Sequence, residues 1–229
     1  MGQPDFSAAR AVLRRHHEER RLSGVSTLIF RQGQVVDDFC IGDADIERRQ
    51  PMRPDHIHRA ASNTKLITAV MTLMLADEGH IALDEAIKRW MPGFGATRVL
   101  RPGATSLDDT EPLARDITVR HLLTHTAGLS LGVLDPGTML YEAYGASGVL
   151  GQDCSTTMIA ERLPALPLLF QPGEGWEYSI SPDVLARLVE IITGQRYAQA
   201  LQQRLFGPLG MPDTGYVLRA DQIPRMTAL

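Results

Sequence analysis

Ser62 and Lys65 stand three residues apart in the stretch RAASNTKLIT, residues 59–68. On a helix that spacing puts both side chains on one face, within reach of each other. A serine hydroxyl becomes a useful nucleophile when a neighbouring base takes its proton. Lysine can serve as that base if burial disfavours its ammonium form, whereas arginine stays protonated. Of the 23 lysine and arginine residues in the chain, only Lys65 and Lys88 are lysines. A sequence that writes arginine almost everywhere has kept lysine where a cation that can turn neutral would be needed. The competing reading is an ordinary serine N-cap with a lysine turned to solvent. A backbone N–H at the start of such a helix is also well placed to hold an oxyanion.

A second polar group is needed to shuttle a proton to the leaving group. GEGWEYSIS supplies Tyr178 in a glycine-flanked loop ahead of a punctuated helix. Taken alone, Tyr178 reads as a half-buried aromatic with its hydroxyl on a carbonyl. Two rival sites are weaker. GLSLG, residues 128–132, matches G-x-S-x-G around Ser130, but that elbow needs a preceding strand and a following helix. Here a helix-like segment precedes it and VLDPG, a helix breaker, follows. His125 could be the base for Ser130 or a residue fixing a turn. In DHIH, His56 and His58 could share a strand face, yet no third metal ligand accompanies them.

The elements that must position these groups are legible in part. Residues 5–22 read as a helix, and 24–31 and 34–42 as strands of a hairpin turning at Gln32-Gly33. The helix beginning near Ser62 is apolar on nearly all sides and so reads as buried. Residues 80–115 are mixed. ITVRHLLTHTAGL is a short helix that Asp116 or Thr118 could cap. A glycine- and proline-bearing stretch to about 153 precedes a helix over 155–163. SPDVLARLVEIITG is a helix with Ser181 as N-cap, Pro182 at its first position and Gly194 at its end. A last helix covers about 196–206.

Composition narrows the function classes. A formal charge of −4 without a basic cluster argues against nucleic-acid binding. Two cysteines cannot form a disulfide framework or a four-cysteine metal site. The N-terminus lacks a signal-peptide core, and the apolar run near 66–75 is too short to span a bilayer. A soluble, cytoplasmic protein with no membrane partner is expected.

SNTK, ITVRHLLTHTAGL, the Tyr-Ser pair of WEYSIS, and PLGMPDTGY resemble, in order and style, the serine β-lactamase and penicillin-binding-protein superfamily. The chain is most similar to its class C-related family VIII carboxylesterases, over about residues 7–220. The resemblance implies an α+β fold, an α/β sandwich with a helical domain. It implies Ser62 as acylated nucleophile, Lys65 as proton acceptor or electrostatic partner, and Tyr178 as general base and acid. Either Lys65 or Tyr178 could take the first proton. Trp176 and Ile180 would line the acyl pocket, the substrate would be a small ester, and no metal or cofactor is implied.

Two departures shape that expectation. The family's Y-x-N here ends in Ile180, which suits an ester better than a β-lactam amide. No K-T-G-like motif follows Tyr178; DTG at 213–215 mimics its tail with Asp213 in place of the cation. The C-terminal strands are therefore expected to be missing from this chain, and a separate C-terminal piece of the same protein is an expected partner. The expected organisation is 1–60 as N-terminal helix and first strands, 61–195 as catalytic-serine helix and helical domain, and 196–229 as return helix and start of an incomplete C-terminal part. Alternatives are a β-lactamase or D-amino-peptide hydrolase of the same fold, or a non-catalytic homologue acting as a binding protein.

Overall fold

The structure is a computed structural model describing residues 4–132, 137–151 and 153–228. Its contacts divide the chain into two compact units, one of residues 1–61 with 212–229 and one of residues 62–211.

The first unit opens with helix α1 (Ser7–Glu18), followed by strands β1 (Gly24–Arg31), β2 (Gln34–Asp45) and β3 (Gln50–Pro51) in one antiparallel sheet ordered β1-β2-β3. Gln32 and Gly33 both take positive φ at the β1–β2 turn, as a two-residue hairpin of right-handed twist requires. Phe39 and Ala44 are buried, with the guanidinium groups of Arg10 and Arg14 over the Phe39 ring. On the other side of the pleat Leu28, Phe30 and Val35 are exposed, leaving an apolar sheet surface open. The tail residues return to this unit: Ile57 bridges Met226, and the Arg225 guanidinium holds the Asp213 carboxylate at 2.6 and 2.7 Å. Asp213 of DTG is thus held in a charge-paired turn.

The second unit is mostly helical. It contains α2 (Thr64–Asp77), a small antiparallel pair β4 (Arg98–Leu100) and β5 (Thr110–Pro112), then α3 (Val119–Leu123), α4 (Met139–Ser147), α5 (Thr156–Arg162), α6 (Ser181–Thr193) and α7 (Tyr197–Leu201). Met71 and Leu75 of α2 join Leu122, Tyr144, Leu185 and Leu188 in one continuous core. Expectation and structure differ in three places. Helix α2 buries one face only; Leu66, Val70 and Leu73 are exposed, so its uniform apolarity does not mean uniform burial. Helix α4, capped by the Thr138 hydroxyl and closed by Gly148 at φ 72°, lies where an irregular stretch was expected. Helix α6 starts one residue earlier than read, with Ile180 rather than Ser181 at the N-cap and Gly194 in the left-handed closing position.

Candidate active site

Ser62 lies in a single 3-10 turn, Ala61–Asn63, that leads into α2. The residue before it, Ala61, has φ +43°, a left-handed conformation that costs energy for any residue with a Cβ. Strain of this kind gathers at functional sites. No side chain caps α2, so the Ser62 hydroxyl is not spent on the helix. Instead it sits 3.0 Å from the Tyr178 hydroxyl and accepts a hydrogen bond from Lys65 Nζ at 3.3 Å. Lys65 Nζ also lies 4.9 Å from the centre of the Tyr178 ring. Three groups read from the sequence, two on one helix turn and one more than a hundred residues away, are brought to one point.

The electrostatics suit proton exchange. Hydrogen bonding from Lys65, and then from Ser62, holds the Tyr178 phenol below its ordinary value, so its phenolate is easier to reach. Asp183, in the first turn of α6, is reached by solvent but crowded by protein. The crowding raises its carboxyl above the usual range, while Lys65 lowers it.

The two expected pocket residues differ in placement. Trp176 is 64% exposed, whereas Ile180 is 2% exposed and packs in the core, where its N–H donates to the Ser130 carbonyl. A residue so placed supports the Tyr178 loop from beneath and shows little surface to solvent.

Ser130 is buried. Its N–H donates to the Tyr144 hydroxyl at 3.0 Å and its Oγ accepts the Gly132 N–H at 3.1 Å. His125 pairs not with Ser130 but with Ser179, and its ring stacks on Tyr178. Of the VLDPG stretch read as a helix breaker, residues 133–136 lie outside the described residues. His56 has both ring nitrogens engaged: Nδ1 accepts the Arg53 N–H at 2.8 Å, and Nε2 is 3.1 Å from the Gln50 amide. Among the described residues no cluster of three or more potential metal ligands exists, and no helix is long and apolar enough to cross a membrane. His125 and Ser179 are the residues that sequence reasoning left outside the site. Their only sequence signal is the histidine directly after a short capped helix and the Ser-x-Ser at 179–181.

A family model described as "Beta-lactamase" matches residues 9–229. "Esterase EstB" of Burkholderia gladioli is 40% identical over 208 residues, covering 90% of this chain and 50% of that protein. "Lovastatin esterase" of Penicillium rubens is 34% identical over 206 residues, with 86% and 50% covered. Among solved structures, "Simvastatin Synthase (LovD)" from Aspergillus terreus superposes with a TM-score of 0.80 at 30% identity, covering 98% of this chain and 57% of that one. "EstCE1, a hydrolase with promiscuous acyltransferase activity" also gives 0.80, at 26% identity, with 95% and 54% covered. The chain spans about half the length of the curated relatives it matches. Nearly all of its length is nevertheless accounted for by one fold and one family model: the chain belongs to the beta-lactamase family.

Proposed function

We propose that this chain carries the nucleophile of a serine carboxylesterase acting through an acyl-enzyme on Ser62. The observation that carries the reading is the convergence of Lys65 Nζ and the Tyr178 hydroxyl on Ser62 Oγ, at 3.3 and 3.0 Å. Ser62 Oγ bonds to the ester carbonyl carbon while its proton passes to Tyr178, with Lys65 holding both oxygens in place. The lowered phenol supports Tyr178 in that role. The Ser62 N–H stabilises the oxyanion. Tyr178 then protonates the alkoxy oxygen as the C–O bond breaks, and the alcohol leaves. Water attacks the acyl-enzyme, its proton goes to Tyr178 and is returned to Ser62 Oγ, and the carboxylic acid departs. Exposed Trp176 offers an aromatic face to the acyl group, with Ile180 supporting the loop behind it. The relatives' names support esters over β-lactams or D-amino-peptides. They also favour a second fate for the acyl-enzyme, transfer to an alcohol: "Monacolin J acid methylbutanoyltransferase" of Aspergillus terreus is 36% identical over 205 residues.

The test is hydrolysis of a short-chain p-nitrophenyl ester by this chain and by its Ser62→Ala variant, with acyl adducts read by intact mass. Activity and an adduct that both vanish in the variant support the reading; activity that survives in the variant refutes it. An added alcohol that yields a new ester at the expense of free acid distinguishes transfer from hydrolysis.

A further inference from the structure

Tyr178 belongs to a segment without helix or strand, residues 171–180, and a loop does not by itself hold a phenol to the tolerance proton transfer needs. Two backbone anchors from a single residue flank it. The His125 carbonyl accepts the Glu177 N–H at 3.0 Å, and His125 Nδ1 accepts the Ser179 N–H at 3.2 Å. Between these anchors the imidazole stacks on the Tyr178 ring, centroids 5.2 Å apart and planes 24° apart. We propose that His125 is the positioning residue for Tyr178 and works as a neutral imidazole with Nδ1 as acceptor, a role that rests on the Ser62–Lys65–Tyr178 reading.

The hydrogen-bond network assigns the tautomer. Ser179 Oγ accepts from the Ser181 N–H at 3.4 Å, and it lies 2.7 Å from Ser181 Oγ and 3.0 Å from His125 Nδ1. Ser179 and Ser181 are buried at 1% and 0% exposure, so water does not take over these bonds. Nδ1 accepts the Ser179 N–H and must keep its lone pair for it, which puts the ring proton of the neutral imidazole on Nε2.

The backbone tells the same story. Thr126 N–H bonds to the His121 carbonyl and His125 N–H to that of Leu122, the two bonds of a Schellman closure for α3. The residue at its turning point is normally glycine. Here it is His125 at φ +58°, so a side chain is kept where a Cβ is costly. Burial first, and the charge of Lys65 from α2 second, hold His125 below the ordinary histidine value. Tyr178 faces it from the loop, and Asp183 of α6 is near enough to sense Lys65. A proton added at Nδ1 would set donor against donor and release the Ser179 N–H.

The test compares His125→Phe, which keeps a ring but removes the acceptor, with His125→Asn, whose amide oxygen replaces Nδ1 and which tolerates positive φ. Tyr178 is followed by ultraviolet difference titration of its phenol, with Tyr178→Phe as blank, and by kcat and KM on the p-nitrophenyl ester across pH. In His125→Phe the phenol should titrate higher and kcat should fall roughly 10- to 100-fold with KM held within about twofold. His125→Asn should stay within about tenfold of the parent kcat and lose the acid-side fall in rate expected of the parent as His125 protonates, below the ordinary histidine range. Parent-like kcat and phenol titration in His125→Phe would overturn the proposal, as would an acid limb unchanged in His125→Asn. If His125→Phe does not fold, the acid limb of His125→Asn decides alone. Hydrolysis that survives Ser62→Ala would remove the nucleophile reading, while the phenol titration would still report on His125 and Tyr178.

Discussion

Two serines in the same unit sit in nucleophile-like motifs, and their surroundings differ in kind. Ser62 is exposed, preceded by a strained residue, and hydrogen-bonded to two titratable side chains, Lys65 and Tyr178. Ser130 is buried and bonded to a backbone N–H and a buried phenol. The glycines around Ser130 have packing reasons of their own. A Cβ at Gly128 would lie 2.3 Å from the Phe170 carbonyl oxygen, and one at Gly132 would lie 2.4 Å from the Tyr144 Cβ, both at positive φ. G-x-S-x-G here spells a tight turn against a neighbour. What separates a nucleophile from a structural serine is whether its partners can move protons, and a short motif does not record that.

The strongest attempt to break the contrast is the pair Ser62→Ala and Ser130→Ala. The first should lower ester turnover by about 10³-fold or more and abolish the acyl adduct. Ser130→Ala should leave kcat/KM within about twofold, its effect confined to a loss of roughly 1–3 kcal/mol as the Gly132 N–H loses its acceptor. Equal losses of turnover in both variants would erase the distinction. Next in size is Lys65→Arg, which keeps the positive charge but replaces a compact ammonium with a planar guanidinium that does not hold the Ser62 and Tyr178 oxygens in the same geometry. Turnover should fall about 10²- to 10³-fold. A variant that keeps parent activity would show that charge alone is required at this position. The corresponding partners of Ser130 are the Tyr144 hydroxyl and the Gly132 N–H, neither of them a cation.

Much of this contrast was legible in advance, though unevenly. The Ser62–Lys65 spacing, the hairpin at Gln32-Gly33 and the bracketing of α6 by Pro182 and Gly194 are local signals, each with a local cause. Helix α4 was missed because Gly145 inside it and Gly148 after it resemble loop punctuation. Strands β4 and β5, three residues each, are too short to show a period. Ile180 was placed in the acyl pocket because it stands at the third position of the family's Y-x-N. Its burial follows from the N-cap of α6 folding into the core, a tertiary fact. His125 is the plainest case: its left-handed backbone and its two anchors on residues 177 and 179 join segments about fifty residues apart, and no spacing rule spans that distance.

The stability of the Ser130 turn sharpens the comparison further, because it should respond to changes that leave the chemistry of Ser62 alone. Gly132→Ala forces a methyl group into the Tyr144 side chain at φ +68°. Crowding and left-handed strain together should cost about 2–4 kcal/mol, read as a lower urea midpoint. A midpoint equal to the parent's would mean that the turn relaxes freely and that its glycines are not packing residues.

The smallest expected effect is also the most specific. Tyr144→Phe removes one oxygen from the core, and with it the acceptor of the Ser130 N–H. Burial of Tyr144 pushes its phenol well above the usual tyrosine range, so the hydroxyl stays protonated and can both accept from Ser130 and donate onward. Losing that acceptor should cost about 1–3 kcal/mol in urea denaturation, since a buried N–H is left unpaired. The acyl adduct on Ser62 should form at the parent rate. Because Ser130 accepts the Ile180 N–H through its carbonyl, the same turn abuts the end of the Tyr178 loop. A loss of stability with unchanged acylation would show that the loop takes its catalytic register from His125 rather than from Ser130. A parallel loss of acylation would place Ser130 among the residues that hold Tyr178, and would narrow the distance between the two serines.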